Sequence, residues 1–256
     1  MKVRVLGCSG GIGGRHQRTT ALLVDDDVLI DAGTGVGDLE FDELLRIDHV
    51  FVTHAHLDLI AMIPLLVDTV GEARSMPIVV HGSPETLRIL RSHIFNWLVW
   101  PDFSSIPDRG NPFLRFQEMH TGETANLGGG RSMTALPALH TVPAVAYQVS
   151  GAGGSLVFSG DTAYSEPLIA AINDIPDLRY LLVETAFPDA LHDLALASRH
   201  LCPSLLALFL DRIKANPEVW ITHLKPSRAQ TTLDEIANYR GRFTPQALYN
   251  GLEFVF

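Results

Sequence analysis

HVFVTHAHLD, residues 49–58, joins an apolar run to three residues that can bind a metal ion, His54, His56 and Asp58. The apolar part has the length and composition of a buried strand. His54 and His56 are two positions apart, so in an extended backbone both side chains point to the same side and can bind one ion. The stretch therefore predicts a strand that carries metal ligands at its C-terminal end.

Four further apolar runs also end in a residue that can bind a metal. The runs SMTALPALH, SLVFSGD, RYLLVE and EVWITH end at His140, Asp161, Glu184 and His223. Strand ends along one rim of a sheet are where open sheets build their sites. Imidazole binds zinc and similar ions, and a carboxylate can bridge two cations. The recurrence predicts a metal-dependent hydrolase site, and Asp161 shared between two metals would complete a dinuclear one.

The composition predicts one domain that spans residues 1–256. Hydrophobic residues make up 46% of the chain and charged residues 19%, which supplies a buried core without the signature of disorder. The formal net charge is −10, and no run of Lys or Arg occurs. Phosphate backbones are bound by clustered basic residues, so nucleic acid is not expected as a partner. We expect a small-molecule phosphodiester substrate, and a homodimer is compatible with the sequence.

The distribution of apolar residues predicts a cytoplasmic protein without a membrane partner. The longest apolar runs, such as residues 60–67 and 205–210, are too short to cross a bilayer. The N-terminal MKVRVLGCSGG reaches its glycines after only a few apolar residues, so it lacks the apolar core of a signal peptide.

Short apolar runs alternate with amphipathic segments along the whole chain, which predicts an α+β domain with helices covering sheets. Residues 97–113 are predicted to be irregular and residues 122–132 to form turns. The predicted strands are residues 2–6, 21–24, 28–31, 49–53, 77–81, 132–139, 145–150, 155–159, 180–183 and 218–222. The predicted helices are residues 60–70, 84–95, 166–173, 189–197, 204–215 and 229–239.

THAHLD, together with the distant His140, Asp161 and His223, resembles the His-x-His-x-Asp-His signature of the metallo-β-lactamase superfamily. Longer stretches narrow the resemblance to class II cyclic-nucleotide phosphodiesterases, and it spans nearly the whole chain. They are LGCSGGIGGRHQRTTALLVDDDVLIDAGTG, FNWLVWPDFSSIP, ETAFPDALHDLALASRHLCPSLL and THLKPS. The resemblance implies a four-layer αββα sandwich with two metals at one edge, zinc being favoured over manganese or iron.

The resemblance also implies which residues bind the two metals. The first site would consist of His54, His56 and His140, and the second of Asp58 and His223, with Asp161 bridging both. The chain departs from the family pattern at Leu59, where related proteins carry a second-site histidine. Since leucine cannot bind a metal, both a weakened and an empty second site are open. Compensation by His16, in the glycine-rich loop, is the less favoured alternative.

The expected reaction is hydrolysis of a 3′,5′-cyclic nucleotide, cAMP first, to the 5′-nucleotide. A bound metal lowers the pKa of water so that hydroxide can attack phosphorus at pH 7. The departing ribose oxygen benefits from a proton donor. Glu184 and His200 resemble the Glu–His pair of related tRNA-processing phosphodiesterases, in which the Glu orients a His that supplies this proton. Asp58 joins them as the third predicted catalytic residue.

Three other functions and several secondary roles remain open from the sequence. The same fold could process RNA 3′ ends, could hydrolyse a thioester or lactone, or, because of Leu59, could bind a nucleotide without hydrolysing it. His200 could instead be a structural residue at a helix end. Asp31 is expected to orient the metal loop, and Lys225 could contact a phosphate but is expected to be solvated. The aromatic residues of the irregular segment could form an apolar wall for a base, and they are Trp97, Trp100 and Phe103.

Overall fold

A computed structural model describes residues 1–14 and 16–256, and it contains two seven-stranded sheets with helices on their outer sides. The strands are β1 (Lys2–Gly7), β2 (Ala21–Val24), β3 (Val28–Ile30), β4 (His49–Phe51), β5 (Ile78–Gly82), β6 (Leu114–Glu118), β7 (Thr124–Gly128), β8 (Arg131–Pro137), β9 (Val145–Gly151), β10 (Gly154–Phe158), β11 (Leu178–Glu184), β12 (Glu218–Thr222), β13 (Gln246–Ala247) and β14 (Glu253–Val255). The α-helices are α1 (Phe41–Leu44), α2 (Leu57–Ile60), α3 (Met62–Val70), α4 (Pro84–Ile89), α5 (Glu166–Asn173), α6 (His192–Ser198), α7 (Pro203–Asp211) and α8 (Ala229–Ile236).

Each sheet combines antiparallel and parallel pairing. The first sheet has the order β14-β1-β2-β3-β4-β5-β6, and the second has the order β13-β12-β11-β10-β9-β8-β7. Strands β3 to β6 are mutually parallel, as are β10 to β13, and the other neighbours are antiparallel. Parallel neighbours end at the same edge of a sheet. The residues that follow β10, β11 and β12 are therefore brought to one edge.

The apolar residues separate into three clusters, which define four layers. Val50 of β4 packs in the cluster between the first sheet and its helices, whereas the next residue, Phe51, packs between the sheets. In β11, Leu182 lies between the sheets and Val183 faces the helices on the other side. Successive strand residues point to opposite faces, so a continuous apolar run serves two layers at once. The predicted α+β, four-layer αββα sandwich is confirmed.

Helix α4 begins at residue 84, as predicted. Ser83 caps α4, where its hydroxyl accepts a hydrogen bond from the Thr86 N–H at 3.1 Å and Pro84 occupies the first turn.

Among the described residues, no single helix is long and apolar enough to cross a membrane. Two short helical segments, Asp189–Ser198 and Pro203–Asp211, pass such a test on length and composition only when taken together, and they are bent by 73°.

The prediction of turns over residues 122–132 is wrong, because most of this segment is a β-hairpin. Strand β7 lies at the edge of the second sheet, and its side chains alternate between exposed and half-buried. Edge strands need little apolar side-chain area, and the only apolar side chains of β7, Ala125 and Leu127, alternate with polar residues over too short a stretch to reveal a strand. Gly128 to Gly130 all have positive φ and close the hairpin.

Residues 97–113 contain no helix or strand, as predicted.

Candidate metal centre

The ligand-type residues that end separate strands meet at one edge of the sandwich. His54 follows β4, His140 follows β8 and Asp161 follows β10, and all three side chains are buried. His54 Nε2 lies 3.0 Å from His56 Nδ1, and His140 Nε2 lies 3.3 Å from the same His56 atom. Side chains that are far apart in sequence thus direct ring nitrogens at one point, as a ligand set must.

Asp161 connects this cluster to a second one. Asp161 Oδ2 lies 3.5 Å from His54 Nε2, and Oδ1 lies 3.1 Å from His223 Nδ1. The described residues form two groups in which the candidate ligand atoms all lie within 4.8 Å of one another. The groups are His54, His56, His140 and Asp161, and Asp161, His200 and His223. Asp161 belongs to both groups, which is the position of a carboxylate that bridges two cations.

The hydrogen bonds behind the cluster define the protonation of two histidine rings. His140 Nδ1 lies 3.0 Å from the carbonyl oxygen of Arg199, which can only accept, so Nδ1 carries the proton and Nε2 has a lone pair. Asp31 accepts hydrogen bonds from both the N–H and the hydroxyl of Thr53, each at 2.8 Å. That hydroxyl has no second proton, so it accepts from His54 Nδ1, at 3.1 Å, and His54 Nε2 also has a lone pair.

These lone pairs are a test of whether the residues fit a metal ion. His54 Nε2 and His140 Nε2 are both acceptors, and both face His56 Nδ1. Because His56 Nδ1 can donate at most one hydrogen, hydrogen bonding cannot satisfy both acceptors. Among the described residues His223 Nδ1 is buried and makes no well-aligned hydrogen bond, although it lies 3.1 Å from Asp161 Oδ1. A divalent cation would accept the lone pairs of His54 and His140 at once. Imidazole nitrogens with a carboxylate are the donor set of zinc and related ions, and the residues fit such an ion.

Burial keeps the clustered histidines neutral, which is the form that binds metals. Burial lowers the pKa of His140 to about 4, and it lowers the pKa values of His54 and His223 well below their usual range. Burial also raises the pKa of Asp161, and the neighbouring charges of Glu184 and Asp58 add to this effect. A bound cation would offset that penalty, because opposite charge favours the ionised carboxylate.

His200, a member of the second group, forms a buried pair with Glu184. His200 Nδ1 lies 2.7 Å from Glu184 Oε1, and the His200 ring stacks on the His223 ring with centroids 5.2 Å apart. Glu184 also accepts hydrogen bonds from the backbone N–H groups of Thr162 at 3.1 Å and Leu201 at 3.3 Å. These bonds fix the carboxylate, and the carboxylate fixes the His200 ring.

Two predicted positions lie close to the cluster without joining it. Asp58 is half-buried in the first turn of α2 and belongs to neither ligand group of the described residues, so its roles as ligand and catalytic residue stay predictions. Leu59, one residue further along, is fully buried. His16 is exposed, and it likewise lies outside both groups.

The secondary expectations have mixed outcomes. Asp31 lies behind Thr53 and acts on His54 through it, and burial raises the pKa of Asp31 to about 8. The expectation that Lys225 is solvated is wrong, since its ammonium donates to the Gly10 carbonyl at 2.9 Å and lies 3.1 Å from His223 Nε2. The three aromatic side chains expected to form an apolar wall do not lie together on one surface. Phe103 and Trp100 pack in the first apolar cluster, whereas Trp97 is exposed.

Strained backbone marks the loops that carry the site. Asp31, Arg199 and His223 have φ values of 56°, 55° and 60°, which side-chain-bearing residues rarely adopt. Such conformations cost about 1–3 kcal/mol each and cluster at functional sites. Gly10 packs against His223 so closely that a Cβ there would collide with the His223 carbonyl. A glycine at position 10 is therefore required by the position of His223.

Two residues with a part in this arrangement were not identified from the sequence. Thr53 connects His54 to Asp31, and Arg199 accepts from the His140 ring while its guanidinium donates to the His140 carbonyl. The Thr-His pair at the end of β4 recurs as Thr222-His223 after β12, and this repetition was the available signal for Thr53. No local sequence signal pointed to Arg199, because His140, the residue that it contacts, lies 59 positions away in the sequence.

Comparison with known proteins places this geometry in a family. A model of the beta-lactamase superfamily domain matches residues 27–236. A Ribonuclease Z of Halorubrum lacusprofundi is 29% identical over 153 residues, which cover 57% of this chain and 46% of that protein. A probable 3′,5′-cyclic-nucleotide phosphodiesterase of Yersinia pestis is 25% identical over 211 residues, covering 72% and 59%. The chain thus matches about half the length of these relatives.

Solved structures with low sequence identity share the fold over almost the whole chain. The metallo-β-lactamase fold protein YhfI of Bacillus subtilis has a TM-score of 0.77 at 18% identity, covering 99% of this chain and 98% of that one. Unliganded yeast PDE1 has a TM-score of 0.79 at 18% identity, with 98% of each chain covered. The short form of human tRNase Z has a TM-score of 0.69 at 17% identity, covering 100% and 99%. The family model covers most of the sequence and these structures share its architecture, so this chain belongs to the β-lactamase superfamily and has the metallo-β-lactamase fold.

Proposed function

We propose that this protein is a metal-dependent phosphodiesterase that hydrolyses a 3′,5′-cyclic nucleotide, cAMP first, to the 5′-nucleotide. The observation that carries the proposal is the pair of ligand groups that share Asp161. Paired cations bridged in this way are typical of enzymes that displace an oxygen from phosphorus. When bound, the cations would supply an activated water and stabilise negative charge on the phosphoryl oxygens.

The chain itself contributes orientation and proton handling. His54, His56 and His140 would hold the first cation as neutral ligands, each fixed by its neighbours. The bond that breaks joins phosphorus to the ribose 3′-oxygen, which must gain a proton as it leaves. His200, oriented by Glu184 at 2.7 Å, can give that proton, as the resemblance implies, or can bind the second cation. Asp58, in the first turn of α2, is proposed to orient the attacking water.

A cavity beside His140 supports a small substrate. Its volume is about 560 Å³, within the range of roughly 300–1,000 Å³ that is usual for small-molecule sites. Glu85, Leu139 and Arg199 line it together with His140, so polar and apolar groups lie next to the proposed first cation. The net charge of −10 opposes the binding of a long polyanion and favours a mononucleotide over RNA.

The second candidate is processing of RNA 3′ ends, which the Ribonuclease Z relatives favour. One of them is 29% identical over 153 residues, and another, from Bradyrhizobium diazoefficiens, is 35% identical over 96 residues.

Hydrolysis of a thioester or lactone needs the same activated water. Nucleotide binding without hydrolysis is the alternative that Leu59 raises. Substrate tests separate all four.

The test uses purified protein loaded with Zn²⁺ and, in parallel, with Mn²⁺. We expect it to convert cAMP to 5′-AMP and to leave a precursor tRNA and a model thioester uncleaved. A chelator and His56→Ala should each abolish turnover, whereas His192→Ala, which removes a half-exposed histidine of α6, should not. Stoichiometric metal without turnover of any phosphodiester would contradict the proposal, and cleavage of the precursor tRNA alone would replace cAMP with RNA as the substrate.

A further inference from the structure

Position 59 lacks the histidine that the family pattern places in the second metal site. Leu59 is buried, yet it belongs to none of the three apolar clusters of the described residues. We propose that His200 takes over the missing role and binds the second cation together with Asp161 and His223. The proposal depends on cation binding at this cluster and is independent of which substrate is cleaved.

The position of the His200 ring supports this assignment. The candidate ligand atoms of His200, Asp161 and His223 all lie within 4.8 Å of one another, and all three side chains are buried. The His200 and His140 ring centroids are 4.9 Å apart. The His54, His56 and His140 rings are separated by the same amount, 4.6–4.9 Å. His200 is therefore as close to the ligand set as its members are to one another.

The direction of the His200 lone pair also supports this assignment. Glu184 accepts two backbone N–H bonds and also faces His200 Nδ1 at 2.7 Å, so Nδ1 carries the proton and donates it to the carboxylate. The lone pair is then on Nε2. Metal-binding histidines typically donate their other ring N–H to a carboxylate or a carbonyl in this way, which orients the ring and makes it a better ligand.

His200 shares this arrangement with two residues of the first group. His140 Nδ1 donates to the Arg199 carbonyl, and His54 Nδ1 donates to the Thr53 hydroxyl. The acceptor behind His200 is a full carboxylate, the strongest of the three. A nitrogen bound to a cation has no lone pair left, so a ligating His200 would not also carry a proton to the leaving oxygen.

The test counts the metal ions bound by each variant. The wild type, His200→Ala and His192→Ala are dialysed against buffered Zn²⁺, and zinc and protein are then measured in each sample. We expect about two ions per chain for the wild type and for His192→Ala, and about one for His200→Ala. Circular dichroism confirms that each variant is folded. Two ions held by His200→Ala with unchanged affinity would overturn the proposal.

A rescue variant makes the test specific to ligation. Leu59→His in the His200→Ala background restores an imidazole at the position that the family pattern assigns to the second site. We expect the second ion to return in the double variant, which a merely structural role of His200 would not predict. A double variant that folds and binds one ion only would contradict replacement of the lost ligand by His200.

A measurement on the unaltered protein covers the case in which the variants do not fold. In a crystal of the zinc-loaded wild type, anomalous scattering at the zinc edge locates each ion. We expect His200 Nε2 at about 2.0–2.1 Å from the second ion, the usual zinc–nitrogen distance. An ion at Asp161 and His223 with His200 Nε2 clearly beyond that distance would refute the assignment, even if the protein cleaves cAMP. Conversely, ligation by His200 in a protein without that activity would refute only the proposed substrate.

Discussion

Glu184 Oε1 lies 2.7 Å from His200 Nδ1, and both side chains are buried at the edge where the two sheets meet the candidate metal centre. The Thr162 N–H donates to the same Oε1 at 3.1 Å, and the Leu201 N–H donates to Oε2 at 3.3 Å. Thr162 and the consecutive residues His200 and Leu201, from two separate segments, thus converge on one carboxylate. Its evident consequence is a His200 ring with a single orientation.

Glu184→Gln should weaken both zinc binding and phosphodiesterase activity by about 10- to 100-fold. The amide keeps the shape of the side chain but loses the charge that orients the imidazole, and loss of such outer partners typically has an effect of this size. The measurements are zinc affinity by competition with a chelating dye, and cAMP turnover. Glu235→Gln on α8, where the carboxylate accepts only an exposed backbone bond from Asp189, is the matched control. Wild-type values for Glu184→Gln would show that the pair has no part in the site.

Thr53→Val should reduce zinc affinity although Thr53 does not reach the metal. The change removes the hydroxyl that joins Asp31 to His54, and it leaves a buried acceptor and a buried donor without partners. We expect zinc affinity to fall about tenfold or more and the free energy of unfolding to fall by about 1–3 kcal/mol. Thr232→Val in α8 is the control, because that buried hydroxyl bonds only to the Arg228 carbonyl. It should lose stability and keep zinc affinity, and an equal loss of affinity in both would contradict the prediction.

His81 should make the protein sensitive to acid. Its ring stacks on Phe51 with centroids 4.2 Å apart, and burial lowers the pKa of His81 to about 4. The unfolded chain takes up this proton near pH 6.5, so the contribution to stability is complete above pH 6.5 and is lost as the pH falls toward 4. The loss amounts to about 3 kcal/mol at most.

Urea unfolding of the wild type and of His81→Gln, each at pH 7.5 and at pH 4.5, measures this contribution. Other buried histidines titrate in both proteins, so the informative quantity is the difference between the two pH dependences. We expect the free energy of unfolding to fall less steeply with pH in His81→Gln. Parallel pH dependences would show that His81 is protonated equally in the folded and unfolded chains.

Removal of the metal should destabilise the folded chain. A cation that binds only the folded state stabilises it by about 4 kcal/mol when its free concentration is 1,000 times its dissociation constant. Thermal unfolding with buffered Zn²⁺ and with a chelator should therefore differ by several degrees. In His56→Ala the difference should shrink, because the first group loses one of its ligands. Identical melting temperatures for the wild type under both conditions would exclude a tightly held ion.

Much of the fold could be predicted from apolar runs, since most central strands are continuous and buried. Strand β10 is buried along its whole length, and it was predicted within one residue at each end. The four missed strands, β6, β7, β13 and β14, are the edge strands of the two sheets. β14 pairs Val255 with Lys2 at the opposite end of the chain, and β7 is a polar edge strand. Their existence depends on pairing partners, which a local pattern does not contain.

The candidate site was predictable where a ligand-type residue ends a strand. His140, Asp161 and His223 follow central strands, and the fold brings them together, as their shared pattern suggests. His200 follows a helix, and its closeness to Asp161 depends on how the loop after α6 returns to the sheet edge. Thr53 and Arg199 were missed because only packing reveals which ring each one orients.

Titration of metal-free protein with Zn²⁺, with cAMP turnover measured after each addition, tests the central claim most directly. We predict no turnover before metal is added and maximal turnover only when both ligand groups around Asp161 are filled, at about two ions per chain. Turnover that is already complete in the presence of a strong chelator, or zinc bound at this cluster without hydrolysis of any phosphodiester, would contradict the account.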